Sequence, residues 1–432
     1  MRLLLSSFLL AVVSLAAAEP PPGMVAIPAG RYAPAFGTDA RARVVEAFLM
    51  DAAQVTNGQF LDFVKQHPEW RRSRVPRSLA DPNYLSHWAG DLDLGSDRLR
   101  AAPVTHVSWF AARAYCAAHG RRLPTQDEWE FVARADATRP DASKDPAFVQ
   151  QLLAWYSRPA TSALDDVRGT PANVYGLRGL HGQVWEWVED FNATMAGADS
   201  RSDGSPDPKL FCGAGSLLAA DAGNYAAFMR YAFRSSLKGP YCVGTLGFRC
   251  AQSAHETPRA PAPSTLTTLD DLPGQWRAQD GRVVDLSSLR GTVRVLTMGF
   301  TRCRFSCPRI LGDMQRIERE LGAAADKVRF VFLSIDPEED TPAQMSGVLR
   351  DRHMNPARWT FLSAEEKIVR QAAVLLDFKY SRVDGFFTHS NLIVALDESG
   401  RVIARHESLD ADIRPVIEAV TRHLPQTSPP RP

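Results

Sequence analysis

Beyond its first residues this chain has no long hydrophobic run, and nowhere does it approach the roughly 20 apolar residues that a membrane-crossing helix needs. The expectation is a mature protein without a membrane span. The sequence also lacks a charge bias. Its 50 Lys and Arg stand against 49 Asp and Glu for a net charge of +1, so nothing electrostatic recommends a nucleic acid or an acidic surface as partner. Cysteine is scarce, six in 432 residues, which allows three pairs at most and leaves their connectivity open. None follows the leader closely enough to carry a lipid.

The leader consists of Arg2, an apolar run from Leu3 to Val13, and Ala16-Ala17-Ala18 before Glu19. Residues 1–18 read as a secretory signal cleaved near Ala18. The Arg- and Ala-rich composition points to the periplasm, where disulfides are permitted. At roughly 150 residues per domain, the length suggests two or three domains. The boundary falls at residues 253–268, where Thr257-Pro258-Arg259-Ala260-Pro261-Ala262-Pro263 has no apolar period and reads as a semi-extended Pro/Ala/Thr linker. Residues 425–432, rich in Pro, read as a disordered tail.

Residues 19–252 are rich in Trp, Gly and loops. Thr56-Asn57-Gly58-Gln59 and Thr125-Gln126-Asp127-Glu128 match the capping box that opens a helix, and Ser108 caps a third helix that runs through Cys116. This predicts a compact, irregular α+β domain packed on tryptophan. In residues 269–424 the pattern changes to strands at Val293 to Phe300, Val328 to Ile335, Asn391 to Asp397 and Arg401 to His406. Helices are expected from Pro308 to Leu321, Pro342 to Arg352 and Ala364 to Leu375. That order indicates an α/β thioredoxin-like sandwich.

The chemistry concentrates in Gly299-Phe300-Thr301-Arg302-Cys303-Arg304-Phe305-Ser306-Cys307-Pro308, between a buried-strand pattern and a helix. Pro308 fits the first helical position and makes Cys307 the cap. A thiol there feels the positive end of the helix dipole, so its pKa is expected to fall and its thiolate, which binds metal or attacks disulfides, to be enriched. Taken alone, the two cysteines also fit a structural disulfide.

Gly299-Phe300-Thr301-x-Cys303-x-x-x-Cys307-Pro308, Leu333-Ser334-Ile335-Asp336-Pro337-Glu338-x-Asp340-Thr341-Pro342 and Thr388-His389 before an apolar strand resemble the Sco/SenC family of copper-site assembly proteins. The resemblance implies that Cys303, Cys307 and His389 form a site for Cu(I) or Cu(II). It further implies a role in assembling a binuclear copper centre, as copper donor or as thiol-disulfide reductant. Thiolates suit Cu(I) and an imidazole also accommodates Cu(II); a reversible Cys303–Cys307 disulfide would remove both thiolates and release the metal. Asp336 and Asp340 read as loop-capping residues, and His353 and His406 as structural. Arg302, beside Arg304 and Arg309, is expected to favour thiolate and to shape docking.

Met24-Val25-Ala26-Ile27-Pro28-Ala29-Gly30, Arg122-Leu123-Pro124-Thr125-x-x-Glu128-Trp129-Glu130, Gly182-x-Val184-Trp185-Glu186-Trp187 and Leu246-Gly247-Phe248-Arg249 resemble the formylglycine-generating, sulfatase-modifying-factor family, which has a C-type-lectin-like fold. Active members bind Cu(I) through a cysteine pair after a Gly-Gly-Ser segment. Gly213-Ala214-Gly215-Ser216-Leu217-Leu218-Ala219-Ala220-Asp221 contains no such pair, so an oxidase of that type is the weakest functional reading. The family pattern implies a Cys116–Cys250 disulfide and leaves Cys212 and Cys242 as a second pair. It also raises calcium around Gly179 to Glu186, although Gly179 and Gln183 replace the usual asparagines.

The reading is an exported metallochaperone with an inactive first domain. The client would be a periplasmic copper enzyme such as cytochrome oxidase, nitrite reductase or nitrous oxide reductase. The main rival is a thiol-disulfide reductase acting on a client's copper-ligand cysteines, and a further one is a binding protein whose dithiol is vestigial.

Overall fold

A computed structural model describes residues 20–34, 42–158, 164–193, 222–254, 268–383, 386–409 and 412–424. The leader, Cys212 and the segment from Gly213 to Asp221, most of the linker and the tail lie outside the described residues. Among the described residues no helix is long and apolar enough to cross a membrane.

The first half has little regular structure. Its largest sheet has three antiparallel strands in the order Met24–Ile27, Phe48–Asp51, Ala251–Ser253, which brings the two ends of this half together. The three short helices expected from their caps are present. Thr56 caps Asn57–Gln66, Ser108 caps Trp109–Ala118, and Thr125 caps Gln126–Ala133, the first and third as full capping boxes. Tryptophans tie the loops between them: Trp109 Nε1 donates to the Val188 carbonyl at 3.0 Å and Trp187 Nε1 to the Val107 carbonyl at 2.9 Å. A buried indole satisfies its N–H and fills volume at once, so few long elements are needed.

At the centre of this half, Arg249 and Glu186 form an ion pair with both side chains fully buried. The Glu186 oxygens also accept from Gln54 Nε2 and Trp129 Nε1, each at 2.8 Å. The one acidic residue in the segment considered for calcium is therefore engaged by a guanidinium, an amide and an indole. Cys116 and Cys250 are joined by a disulfide that ties the helix Trp109–Ala118 to the start of the last strand. Cys242 is a buried thiol whose Sγ donates to the Pro240 carbonyl, and its suggested partner Cys212 lies outside the described residues.

The second half is built on a seven-stranded mixed sheet. Its order is Val402–His406, Ile393–Leu396, Val293–Gly299, Val328–Ser334, Trp359–Ser363, Trp276–Ala278, Val283–Val284. The three middle strands are parallel and the flanking ones antiparallel. Val293–Gly299 is buried at every position, as its unbroken apolar run predicts for a strand covered on both faces. Helices Ser306–Leu321, Pro342–Asp351 and Arg414–His423 pack one face through Ile310, Met314, Ile317, Met345 and Val420. Helix Glu366–Leu375 covers the other through Ile368, Val369 and Ala372. This is the thioredoxin-like sandwich expected from the element order. A separate two-stranded hairpin, Tyr380–Val383 with Phe386–His389, stands off the main sheet.

Candidate metal centre

The centre lies where the strand Val293–Gly299 ends and the helix Ser306–Leu321 begins. The strand ends in glycine for a local reason. A Cβ at Gly299 would stand 2.7 Å from Cys307 Sγ and 3.3 Å from the Phe332 ring, so only hydrogen there lets the thiol tuck against the strand. Asp340 then fixes the intervening loop. Its carboxylate accepts from the Thr301 backbone N–H at 3.2 Å, the Thr301 hydroxyl at 2.5 Å and the Ser334 hydroxyl at 2.6 Å. One buried side chain thus ties the cysteine loop to the end of the neighbouring strand. Asp340 holds the loop, in line with the capping role expected from the sequence, and stays outside the ligand cluster. Arg302 pairs with Asp336 at 3.1 Å and Glu339 at 3.4 Å, so its charge is directed at these carboxylates.

The helix begins at Ser306, two residues before the expected start, and this changes which cysteine does what. Phe305 occupies the cap position and supplies no side-chain hydrogen bond. The first-turn N–H of Cys307 points instead at Cys303 Sγ, 3.5 Å away, so Cys303 fills the acceptor role that a capping oxygen usually takes. A hydrogen bond from the Cys307 thiol, together with backbone N–H groups, pulls the Cys303 thiol down to about 3. The same Cys303 contact, together with burial, pushes Cys307 well up. The depressed thiol is therefore Cys303, outside the helix, and the residue inside it holds the proton. This reverses the assignment made from the sequence: the helix starts two residues before Pro308 suggests, and Cys307 is the buried partner of the thiol pair.

His389 comes from the hairpin strand Phe386–His389 and is buried. Its Nδ1 lies 2.9 Å from the Ser390 carbonyl. A carbonyl only accepts, so Nδ1 carries the hydrogen and Nε2 presents its lone pair. That lone pair faces Cys307 Sγ at 3.3 Å and the Ser306 hydroxyl at 3.3 Å. The ligand atoms of Cys303, Cys307 and His389 all lie within 4.8 Å of one another. Two sulfurs and an oriented imidazole nitrogen, with the second ring nitrogen anchored on a carbonyl, fit a soft metal ion.

Ser306 was not singled out from the sequence. Its hydroxyl lies 3.7 Å from Cys303 Sγ as well as 3.3 Å from His389 Nε2. The available signal was a hydroxyl inside the Cys-x-x-x-Cys loop, one residue before a thiol. His353 and His406 take no part in the cluster. Asp336 and Asp340 also remain outside it.

The low Cys303 pKa has a kinetic consequence. In the reduced protein, alkylation of Cys303 by iodoacetamide is expected to stay nearly constant from pH 8 to pH 5. A free thiol of pKa about 8.5 slows roughly tenfold per pH unit over that range. Mass spectrometry of the modified peptide checks it, and a profile that falls with acid would show that Cys303 is an ordinary thiol.

A family model described as "Sulfatase-modifying factor enzyme 1-like domain" matches residues 11–254, and one described as "SCO1/SenC" matches residues 270–424. The first half is similar to the inactive C-alpha-formylglycine-generating enzyme 2 of Mus musculus, 30% identical over 280 residues that cover 54% of this chain and 86% of that protein. The second is similar to a SCO2-like protein of Rickettsia typhi, 26% identical over 147 residues that cover 32% of this chain and 70% of that protein. Among solved structures, Bradyrhizobium japonicum ScoI with copper bound is 29% identical, covering 35% of this chain and 98% of that one, with a TM-score of 0.32.

Proposed function

We infer, for a chain that belongs to the sulfatase-modifying factor enzyme 1-like family and joins that domain to a SCO1/SenC domain, that the protein carries copper. It delivers the ion as cargo to a copper enzyme under assembly. The observation that carries this reading is the convergence of Cys303, Cys307 and His389. Cys303 supplies a thiolate already formed at neutral pH. Cys307 supplies the second sulfur on giving up its proton, and His389 Nε2 supplies a nitrogen held in the right tautomer. Such a mixed set keeps its hold on copper in either oxidation state, while closing the disulfide would let the ion go. The client we propose is a periplasmic enzyme of respiration or denitrification, such as cytochrome oxidase, nitrite reductase or nitrous oxide reductase. The first domain would serve as a docking or shaping module, since Gly213 to Asp221 lacks the cysteine pair that oxygen-activating relatives use.

Titration of the reduced full-length protein with Cu(I) against a competing chelator tests the reading. One equivalent is expected to bind tightly, and Cys303→Ser is expected to weaken it by more than the roughly 100-fold that loss of an outer partner costs. A wild-type protein that takes up no Cu(I) would overturn it.

A thiol-disulfide reductase remains the second reading, favoured by one observation. A thiolate at Cys303 beside a protonated Cys307 is also the arrangement of an attacking and a resolving thiol.

A further inference from the structure

The thiols and the imidazole of the centre are held by different parts of the chain. The cysteine loop is fixed from within the second half, by Asp340 and by the helix Ser306–Leu321. His389 sits on the hairpin Tyr380–Val383 and Phe386–His389, a two-stranded sheet that, among the described residues, has no ladder to the main one. Two-stranded hairpins alone are marginal in water, so what packs on this one decides its order. The Phe300 ring lies 5.3 Å from Phe387, and Phe378 and Tyr380 lie in the core of the second half. The first half of the chain adds contacts of its own.

Several contacts converge on residues 374–379, which lead into the hairpin. Asn192, itself buried, donates from Nδ2 to the Phe378 carbonyl at 3.2 Å. Lys379 Nζ donates to the Ser235 carbonyl, and Lys238 pairs with Asp377. Val374 is buried in the hydrophobic core of the first half. It packs against Gly239, where a Cβ would stand 2.6 Å from Val374 Cγ1 and 2.8 Å from the Phe110 ring. The held segment reaches the ligand directly. Tyr380 is the register partner of His389, the Ser390 N–H donates to the Lys379 carbonyl at 2.9 Å, and the Phe378 ring stacks on the imidazole at 5.7 Å.

We propose that the first domain is a built-in brace of the metal centre, which by gripping residues 374–379 fixes the hairpin that presents His389. Asn192, Lys238 and Gly239 are then positioning residues that act on His389 through Phe378 and Tyr380. The proposal rests on the copper reading for its effect on affinity and on the fold alone for its effect on the hairpin.

The test uses the full-length chain in two forms: Asn192→Ala with Lys238→Glu, which removes one bond and sets like charges against each other, and Gly239→Leu, which wedges the contact apart. In the reduced, metal-free protein, amide exchange at residues 386–390 is expected to accelerate along with that at 374–380, while the helix Ser306–Leu321 keeps its protection. Cu(I) affinity is expected to fall about tenfold, the scale for groups that orient a ligand. Adding Asp377→Lys to Lys238→Glu restores the pair with its signs exchanged and should recover both readouts. The brace is refuted if residues 374–380 become exposed while residues 386–390 and the affinity stay unchanged. It is refuted too if residues 374–380 stay protected in both forms. If exchange responds as expected but the wild-type protein takes up no copper, the brace stands and the copper reading falls.

Discussion

His389→Ala is expected to lower Cu(I) affinity by more than about 100-fold, beyond the cost of losing an outer partner, and to leave thiol-disulfide exchange within a few-fold of the wild type. The asymmetry follows from what holds each group. Cys303 owes its thiolate first to the Cys307 thiol and then to backbone N–H groups, so removing the imidazole does not make it an ordinary thiol. The metal site loses the one ligand that is not sulfur. Chelator competition gives the first quantity, and reduction of a small disulfide reporter gives the second. Unchanged affinity would remove His389 from the ligand set. If exchange collapses as well, His389 acts as a proton partner to the dithiol and the reductase reading gains.

Replacing both Cys116 and Cys250 with alanine is expected to destabilise the first domain by about 5 kcal/mol in the chain-entropy account, because the bridge closes a sequence separation of 134 residues. That is a large share of the roughly 5–15 kcal/mol by which a domain is stable. The location argues for the full effect. Both sulfurs are buried, and the neighbouring Asp51 carboxylate accepts the Cys250 N–H at 2.8 Å, so the junction of helix and sheet depends on this point. Chemical denaturation followed by tryptophan fluorescence and by exchange in each domain measures it, with two transitions expected. The first should move to much lower denaturant while the second stays. A shift under about 1 kcal/mol would mean that the reduced chain is already constrained.

Much of the second half was legible because its strands are buried on both faces and so read as unbroken apolar runs, Val293 to Gly299 above all. The strand Trp359–Ser363 escaped notice. It is five residues long and alternates Trp, Thr, Phe, Leu and Ser, too short a run to separate from a loop. The hairpin strands around Tyr380 and His389 also escaped, since their partners lie off the main sheet. The ligand set was legible through motif spacing, yet the division of labour between the thiols was not. Which cysteine carries the proton depends first on the contact between the two thiols and on the burial of Cys307, neither of which the motif spacing shows. Contacts between the halves leave no local trace. Asn192 and Phe378 are 186 residues apart, and nothing in either neighbourhood names the other. Arg249 with Glu186 is intermediate, because a charge inside Leu246-Gly247-Phe248-Arg249-Cys250 signals a buried partner without saying which.

That buried pair gives the two halves opposite relations to their surroundings. The positive charge facing Glu186 is part of the polymer: it cannot be washed out by a chelator, outcompeted by another ion or depleted when supply runs short. The sulfur and nitrogen cluster could hold an ion, and any ion it held would be exchangeable with the surroundings. Arg249 thus gives the first half a fixed internal charge that no exchangeable ion has to supply.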